Sequence, residues 1–81
     1  MHVALNKQAE KYLLKCDKAA YNKLSRALTG LKNLEGDIVR LQGIKNTFRL
    51  RIPPYRIIFE HVLGSDDIKV VKISPRGDAY K

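Results

Sequence analysis

The 81-residue chain contains a single cysteine, no tryptophan and only eight acidic side chains against 16 basic ones. Because Cys16 has no second cysteine to pair with, no disulfide forms within the chain, which is typical of a reducing compartment. No apolar run approaches the roughly 20 residues that a membrane-spanning helix needs. No basic and then apolar leader opens the sequence, so we expect a cytoplasmic protein rather than a secreted one.

Metal-binding side chains are equally scarce. The two histidines, His2 and His61, do not group with Cys16 or with acidic residues at the spacings of a metal site. His2 is N-terminal, and His61 has the same strand parity as the apolar Phe59, so both are interpreted as structural or incidental. We expect neither a metal ion nor another cofactor.

The length and composition predict one globular domain spanning residues 1–81. A hydrophobic fraction of 44% is ordinary for a folded chain and argues against disorder. The net charge of +8 is large for this size and favours an acidic or polyanionic partner: a nucleic acid, an anionic membrane or an acidic protein. Five of the six arginines follow residue 37, whereas six of the ten lysines precede it. Because arginine forms bidentate contacts with phosphate, the second half is the predicted binding surface.

The order of apolar patterns predicts the fold class. "MHVAL" is typical of an edge strand, and Asn6 and Asp17 are plausible N-caps for two helices. In the second helix Tyr21, Leu24, Leu28 and Leu31 share one face. After a turn at Gly36 the period becomes strand-like. We predict an α+β fold in which two helices pack on one face of a small, mostly antiparallel sheet, in the order β-α-α-β-β-β.

The stretch "FRLRIPPYRIIFE", residues 48–60, places basic side chains on a predicted hairpin. Apolar residues alternate with arginines, so one face is apolar and the other is basic. The tightest register around Pro53-Pro54 puts Arg51 opposite Arg56, which costs roughly 0.2–1 kcal/mol. An anion bound between these arginines and Arg49 explains why a domain accepts that repulsion. The alternative is that the three arginines are solvated separately on an exposed face.

Together these elements resemble a known family. The segment "IVRLQGIKNTFRLRIPPYRIIFEHVLGSDDIKVVKISPRGDAY" contains a Leu-x-Gly turn, a basic alternating strand, a strand opened by Tyr-Arg, a valine-rich strand, and an arginine followed shortly by a tyrosine. In this order they resemble the RelE/ParE superfamily of toxin–antitoxin toxins, specifically its RelE-like mRNA endonucleases. The resemblance implies the fold already predicted.

The resemblance also implies an activity and a site. RelE-like toxins cleave mRNA in the ribosomal A site, without metal, by attack of a nucleotide's 2′-OH on the adjacent phosphate. Matched by position, the implied catalytic residues are Arg56, Arg76 and Tyr80, and the implied RNA-binding residues are Arg49 and Arg51. Lys45 is a nearby amine that is interpreted as a plain phosphate contact.

The sequence does not identify the general base. Arginine remains protonated in proteins, so Arg49 and Arg51 cannot take over a base role from the lysines of RelE. The phenol of Tyr80, with an ordinary pKa near 10, serves as a base only where neighbouring positive charge lowers that pKa. Otherwise Tyr80 is expected to stack on an unpaired RNA base or to lie idle at the terminus.

Two other functions fit the same sequence. The ParE branch poisons DNA gyrase by protein contact, and a shared fold does not fix function. A nucleic-acid-binding module without chemistry is the second alternative, and it predicts salt-dependent binding without cleavage. Either toxin interpretation implies a cognate antitoxin, and the nuclease adds the ribosome and mRNA as partners, without a membrane.

Overall fold

The computed structural model describes residues 1–75. Two helices and five strands follow one another along the chain: β1 (His2–Leu5), α1 (Lys7–Lys15), α2 (Lys18–Leu31), β2 (Asp37–Arg40), β3 (Thr47–Ile52), β4 (Tyr55–Glu60) and β5 (Asp67–Ser74). Neither helix in this part of the chain is long and apolar enough to cross a membrane.

The five strands form one sheet in the order β1-β5-β4-β3-β2. Only the β1–β5 pair is parallel, and the other three pairs are antiparallel. Both helices contribute to a core on one face, which confirms the predicted α+β fold and the edge position of β1. The structure adds β2, which the sequence analysis did not separate from the loop before β3. This strand has four residues, and Ile38 alone packs against the core, so its pattern is too short to show a period.

The two predicted helix caps are confirmed. The Asn6 side chain accepts a hydrogen bond from the Ala9 backbone N–H at 3.0 Å, and Asp17 accepts one from Ala20 at 2.8 Å. Each bond satisfies a donor that the first helical turn leaves unpaired.

The predicted apolar face of α2 is correct except at its first member. Leu24 and Leu31 are buried, and Leu28 packs against the core. Tyr21 is instead 48% exposed, because Ala20 takes the buried position in the first turn of the helix.

The core consists of side chains that α1 and α2 share with the inward face of the sheet. Its fully buried members are Ala9, Leu24, Leu31, Leu50, Ile57, Phe59, Ile68, Val70 and Ile73. Phe59 stacks on Phe48 across the β3–β4 pair, with ring centroids 5.4 Å apart. This cluster fixes the inward face of each strand, so the residues between its members point to the opposite face.

The β3–β4 hairpin has the predicted register. Ile52 pairs with Tyr55, and Arg51 lies directly opposite Arg56. The peptide bond between Pro53 and Pro54 is cis. The two like charges therefore face each other across neighbouring strands, as the sequence predicted.

Among the glycines of residues 1–75, Gly36, which precedes β2, is the one that the fold requires most strictly. Its φ is +116°, and a Cβ there would lie 2.7 Å from Leu50 Cδ1 in the core. We predict that Gly36→Ala lowers the free energy of unfolding by about 2–4 kcal/mol, through backbone strain and overpacking.

Chemical denaturation measures this loss, with Gly43→Ala as the matched control. Gly43 also has a positive φ, +80°, but a Cβ added there meets nothing within 4 Å. In the control, the free energy of unfolding should fall only by the strain of a positive φ at alanine, about 1–2 kcal/mol. Equal losses in the two variants would contradict the close approach of Gly36 to Leu50.

Candidate nucleic-acid interface

The sheet face opposite the helices carries two rows of side chains that run across the strands. The first row, from β2 to β5, is Asp37, Arg51, Arg56 and Ser74. The second row, in the same direction, is Val39, Arg49, Ile58 and Lys72. We call this surface the arginine face. It brings together three of the predicted site residues, Arg49, Arg51 and Arg56.

Arg51 has an acidic neighbour that the sequence alone does not reveal. Its Nε lies 3.3 Å from Asp37 Oδ2, and both side chains are about half exposed. Asp37 is the residue paired with Arg51 across β2–β3, so the contact became visible only once β2 was recognised as a strand. Asp37 therefore offsets part of the charge of Arg51 and of its repulsion with Arg56.

Arg56 and Arg49 lack such compensation. Neither forms an ion pair within residues 1–75. Arg49 pairs with Ile58, two residues beyond Arg56 on β4, which makes Arg49 and Arg56 diagonal neighbours. Diagonal pairs lie about 7–8 Å apart, within the reach of long side chains. The two guanidinium groups can therefore converge on one anion.

Arg49 also carries an unpaired buried donor. Its Nε is shielded from solvent and has no hydrogen-bond partner in the described part of the chain. A buried donor without an acceptor costs about 1–3 kcal/mol. A ligand oxygen would offset that cost only where the Arg49 side chain shifts to expose its Nε.

The centre of the arginine face is apolar. Ile58 lies outside the helix-side core, yet it is only 1% exposed. Its cross-strand neighbours are Arg49 and Lys72, which are both partly buried. Long basic side chains commonly cover apolar surface with their stems while their charges stay in water. The basic side chains of this face thus surround the buried, apolar Ile58. Electrostatic attraction to a ligand is less screened there than in bulk water.

Lys45 lies apart from the directly opposed arginines, Arg51 and Arg56. It is exposed in the loop between β2 and β3, two residues before Thr47. Arg51 is near the other end of β3, six residues from Lys45. At about 3.3 Å per strand residue, Arg51 is roughly 13 Å from Thr47, at which β3 begins. Lys45 can therefore contact only a different part of an extended ligand.

The predicted residues Arg76 and Tyr80 lie outside the described residues. The described chain ends at Pro75, directly after Ser74, which pairs with Arg56 across β4–β5. Arg76 follows Ser74 by two positions in the sequence.

His61 is buried, and its Nδ1 lies 3.1 Å from the backbone oxygen of Asp67, as expected for a structural residue. No group of three or more metal-ligating side chains comes together within residues 1–75.

Asp37 gives a direct test of the electrostatics of the arginine face. We predict that Asp37→Asn strengthens binding of single-stranded RNA about twofold at low salt. One unit charge about 8 Å from a phosphate costs about 0.5 kcal/mol in water. The free energy of unfolding should change by less than about 1 kcal/mol, because exposed ion pairs contribute little.

Fluorescence anisotropy with a 2′-O-methyl RNA, which cannot be cleaved by 2′-OH attack, measures the change in affinity. Glu10→Gln, on the exposed surface of α1, removes the same charge away from the face and should leave affinity within experimental error. An affinity that Asp37→Asn leaves unchanged would show that RNA does not approach this surface.

Known proteins resemble this chain in structure. No family model and no curated protein matches the sequence. Solved structures do match. The isolated E. coli RelE toxin aligns with a TM-score of 0.77 at 12% identity, over 94% of this chain and 84% of that one.

Two archaeal complexes are similar as well. The chain matched in the RelE–RelB complex of Pyrococcus horikoshii has a TM-score of 0.75 and 28% identity, over 96% of this chain and 97% of that one. The chain matched in the RelB–RelE antitoxin–toxin complex of Methanococcus jannaschii has a TM-score of 0.67 and 24% identity. The alignment covers 88% of this chain and 87% of that one. The likeness spans nearly the whole of each chain. The fold is that of the RelE toxins, and the resemblance to RelE inferred from the sequence is confirmed.

Proposed function

We propose that this protein is the toxin of a type II toxin–antitoxin system, and that it is a ribosome-dependent endoribonuclease that cleaves mRNA in the A site. The observation that carries the proposal is the arrangement of the arginine face. Arg51 is opposite Arg56, and Arg49 is diagonal to Arg56, on the open side of a RelE fold. A folded domain that accepts this repulsion gains by binding a polyanion there.

In the proposed reaction the nucleophile and the leaving group both belong to the mRNA. The 2′-oxygen of one nucleotide forms a bond with the adjacent phosphorus as its proton passes to a base. The bond from phosphorus to the 5′-oxygen breaks, and that oxygen takes up a proton, which leaves a 2′,3′-cyclic phosphate and a 5′-hydroxyl. Negative charge builds on the nonbridging oxygens, where fixed guanidinium groups stabilise the transition state.

Each predicted residue has a role in this scheme. Arg56 is the first candidate for the transition-state contact because it is central and has no ion-pair partner in the described part of the chain. Arg76 is proposed as the second contact or as a hydrogen-bond donor to the leaving oxygen. Tyr80 is proposed as the base or as a stacking platform, and Arg49 and Arg51 as contacts to the RNA backbone. Lys45 is proposed to contact a phosphate farther along the RNA.

The proposed protein partner is an antitoxin with an acidic amphipathic segment. A groove of about 710 Å³ lies between α2 and the β2–β3 end of the sheet. Its apolar walls include Ala27, Leu50 and Ile52, and its basic side chains include Lys23 and Arg26. The apolar face of such a segment fits the walls, and acidic residues at its margins complement the two cations. The solved RelE–RelB complexes support an antitoxin as the partner.

Charge reversal tests this partner. Lys23→Glu and Arg26→Glu together should weaken binding of the protein encoded alongside, measured by calorimetry. Lys7→Glu with Lys11→Glu on α1 makes the same charge change outside the groove and should have a much smaller effect. Equal losses in both pairs would indicate only long-range attraction.

A cleavage map of a defined mRNA on purified translating ribosomes tests the enzymatic part. The intact protein should cut at A-site codons, and Arg56→Ala and Arg76→Ala should not. Growth arrest on expression without any cuts would instead favour the ParE-like alternative, which a gyrase supercoiling assay would then examine. RNA binding without cuts or growth arrest would favour a binding module.

A further inference from the structure

Strand β5 changes its inward face partway along its length. Ile68 and Val70 are buried in the helix-side core, which by simple alternation would turn Lys72 inward as well. Ile73 is buried in the same core instead. The change occurs at a β-bulge: Phe59 pairs with Val70, but its neighbour Ile58 pairs with Lys72, so Val71 is the extra residue. Lys72 therefore points to the arginine face.

Side chains near the start of α1 hold this part of β5. The parallel pairing with β1 stops at Val70. Beyond it, Asn6 Nδ2 donates to the Val71 oxygen at 2.7 Å. The Gln8 amide then donates to the Ile73 oxygen at 3.1 Å and accepts from the Ile73 N–H at 3.0 Å. These bonds replace the missing strand partner, so the bulge is a built feature of the fold.

The bulge places Lys72 symmetrically to Arg49 on the arginine face. Both pair with Ile58, one from β5 and one from β3. Lys72 is consequently the second diagonal neighbour of Arg56, at about 7–8 Å. Lys72 is partly buried and forms no ion pair within residues 1–75. Arg49, Arg56 and Lys72 thus surround Ile58, and none of these three cations has an ion-pair partner within residues 1–75.

We propose that Lys72 is a further phosphate-binding residue of this site, contacting the RNA backbone on the side of Arg56 opposite to Arg49. The inference rests on the proposed function, because it takes single-stranded RNA as the ligand. An ordinary solvated lysine does not require a bulge that breaks the alternation of its strand. Bulges commonly redirect a side chain beside a functional site, which is the effect seen here.

The salt dependence of RNA binding tests this proposal. The probe is a short single-stranded 2′-O-methyl RNA, and its affinity is measured between about 50 and 200 mM salt. Losing one phosphate contact should reduce the slope of log K against log salt by about 0.7 for Lys72→Ala. Lys72→Arg should keep the slope of the intact protein, because the charge and the phosphate contact are retained.

Lys11→Ala is the matched control, since it removes the same charge from the exposed surface of α1. An unchanged slope in Lys72→Ala would overturn the proposal. So would equal reductions in Lys72→Ala and Lys11→Ala, which would report net charge alone, and so would an intact protein that does not bind the probe. The ribosomal cleavage map is a separate readout: if it shows no cuts, the enzymatic proposal fails while a slope change specific to Lys72 still stands.

Discussion

Arg56→Gln is expected to reduce the single-turnover rate of mRNA cleavage on ribosomes about 10²–10³-fold, the typical effect of removing one transition-state donor. Arg56 is central to the arginine face, with Arg49 and Lys72 on its two diagonals and Arg51 directly opposite. Glutamine keeps the aliphatic stem and removes the guanidinium, with its charge and most of its N–H donors. The loss should therefore come from the chemistry rather than from the fold.

The same substitution is expected to leave the protein at least as stable. Removing Arg56 relieves a directly opposed like-charge pair, which costs roughly 0.2–1 kcal/mol. The free energy of unfolding in denaturant should stay constant or rise by up to about 1 kcal/mol. The opposite signs of the two effects separate a functional arginine from a structural one.

Lys11→Gln is the control for this experiment. It removes one positive charge from the exposed surface of α1, on the helix side of the sheet. Cleavage should stay within about twofold of the intact protein, as expected for a surface change away from the site. A cleavage rate that Arg56→Gln leaves unchanged, or a fall caused by unfolding, would contradict the assignment of Arg56.

Phe59→Ala is expected to lower the free energy of unfolding by about 3–5 kcal/mol. Phe59 is fully buried, stacks on Phe48, and lies on β4 next to the residues of the arginine face. A domain of this size has a total stability of only about 4–12 kcal/mol. The variant should therefore lose a large share of its stability, and its RNA binding should weaken in proportion to the unfolded fraction.

Urea denaturation measures the loss, with Leu63→Ala as the control. Leu63 is 86% exposed in the β4–β5 loop, so its truncation should cost less than about 0.5 kcal/mol. A cost under about 1 kcal/mol for Phe59→Ala would mean that the packing beneath β4 does not support the sheet.

The sequence predicted the fold where local chemistry and periodicity agree. The caps at Asn6 and Asp17 were correct because a side-chain oxygen beside a helix start bonds the first free N–H groups. The register of the hairpin was correct because burying Phe48 and Leu50 on one face leaves few ways to pair β3 with β4.

The features that the sequence did not predict depend on contacts between residues that are far apart in the chain. The contact between Asp37 and Arg51 depends on β2, a short edge strand. No local sequence pattern reveals that β2 pairs with β3. Lys72 was missed because strict alternation would have turned it inward. The adjacent valines at 70 and 71 are a visible signal of the bulge, but the bonds from Gln8 that hold the strand join residues 65 positions apart.

The central claim is that this face holds RNA while a 2′-OH attacks the adjacent phosphate. The most direct measurement uses a defined mRNA on purified ribosomes in which one A-site nucleotide lacks its 2′-OH. The account predicts cleavage of the all-ribose mRNA, with a 2′,3′-cyclic phosphate end, and no cleavage at the 2′-deoxy position. Cleavage at the deoxy position, or no cleavage of either mRNA, would contradict it.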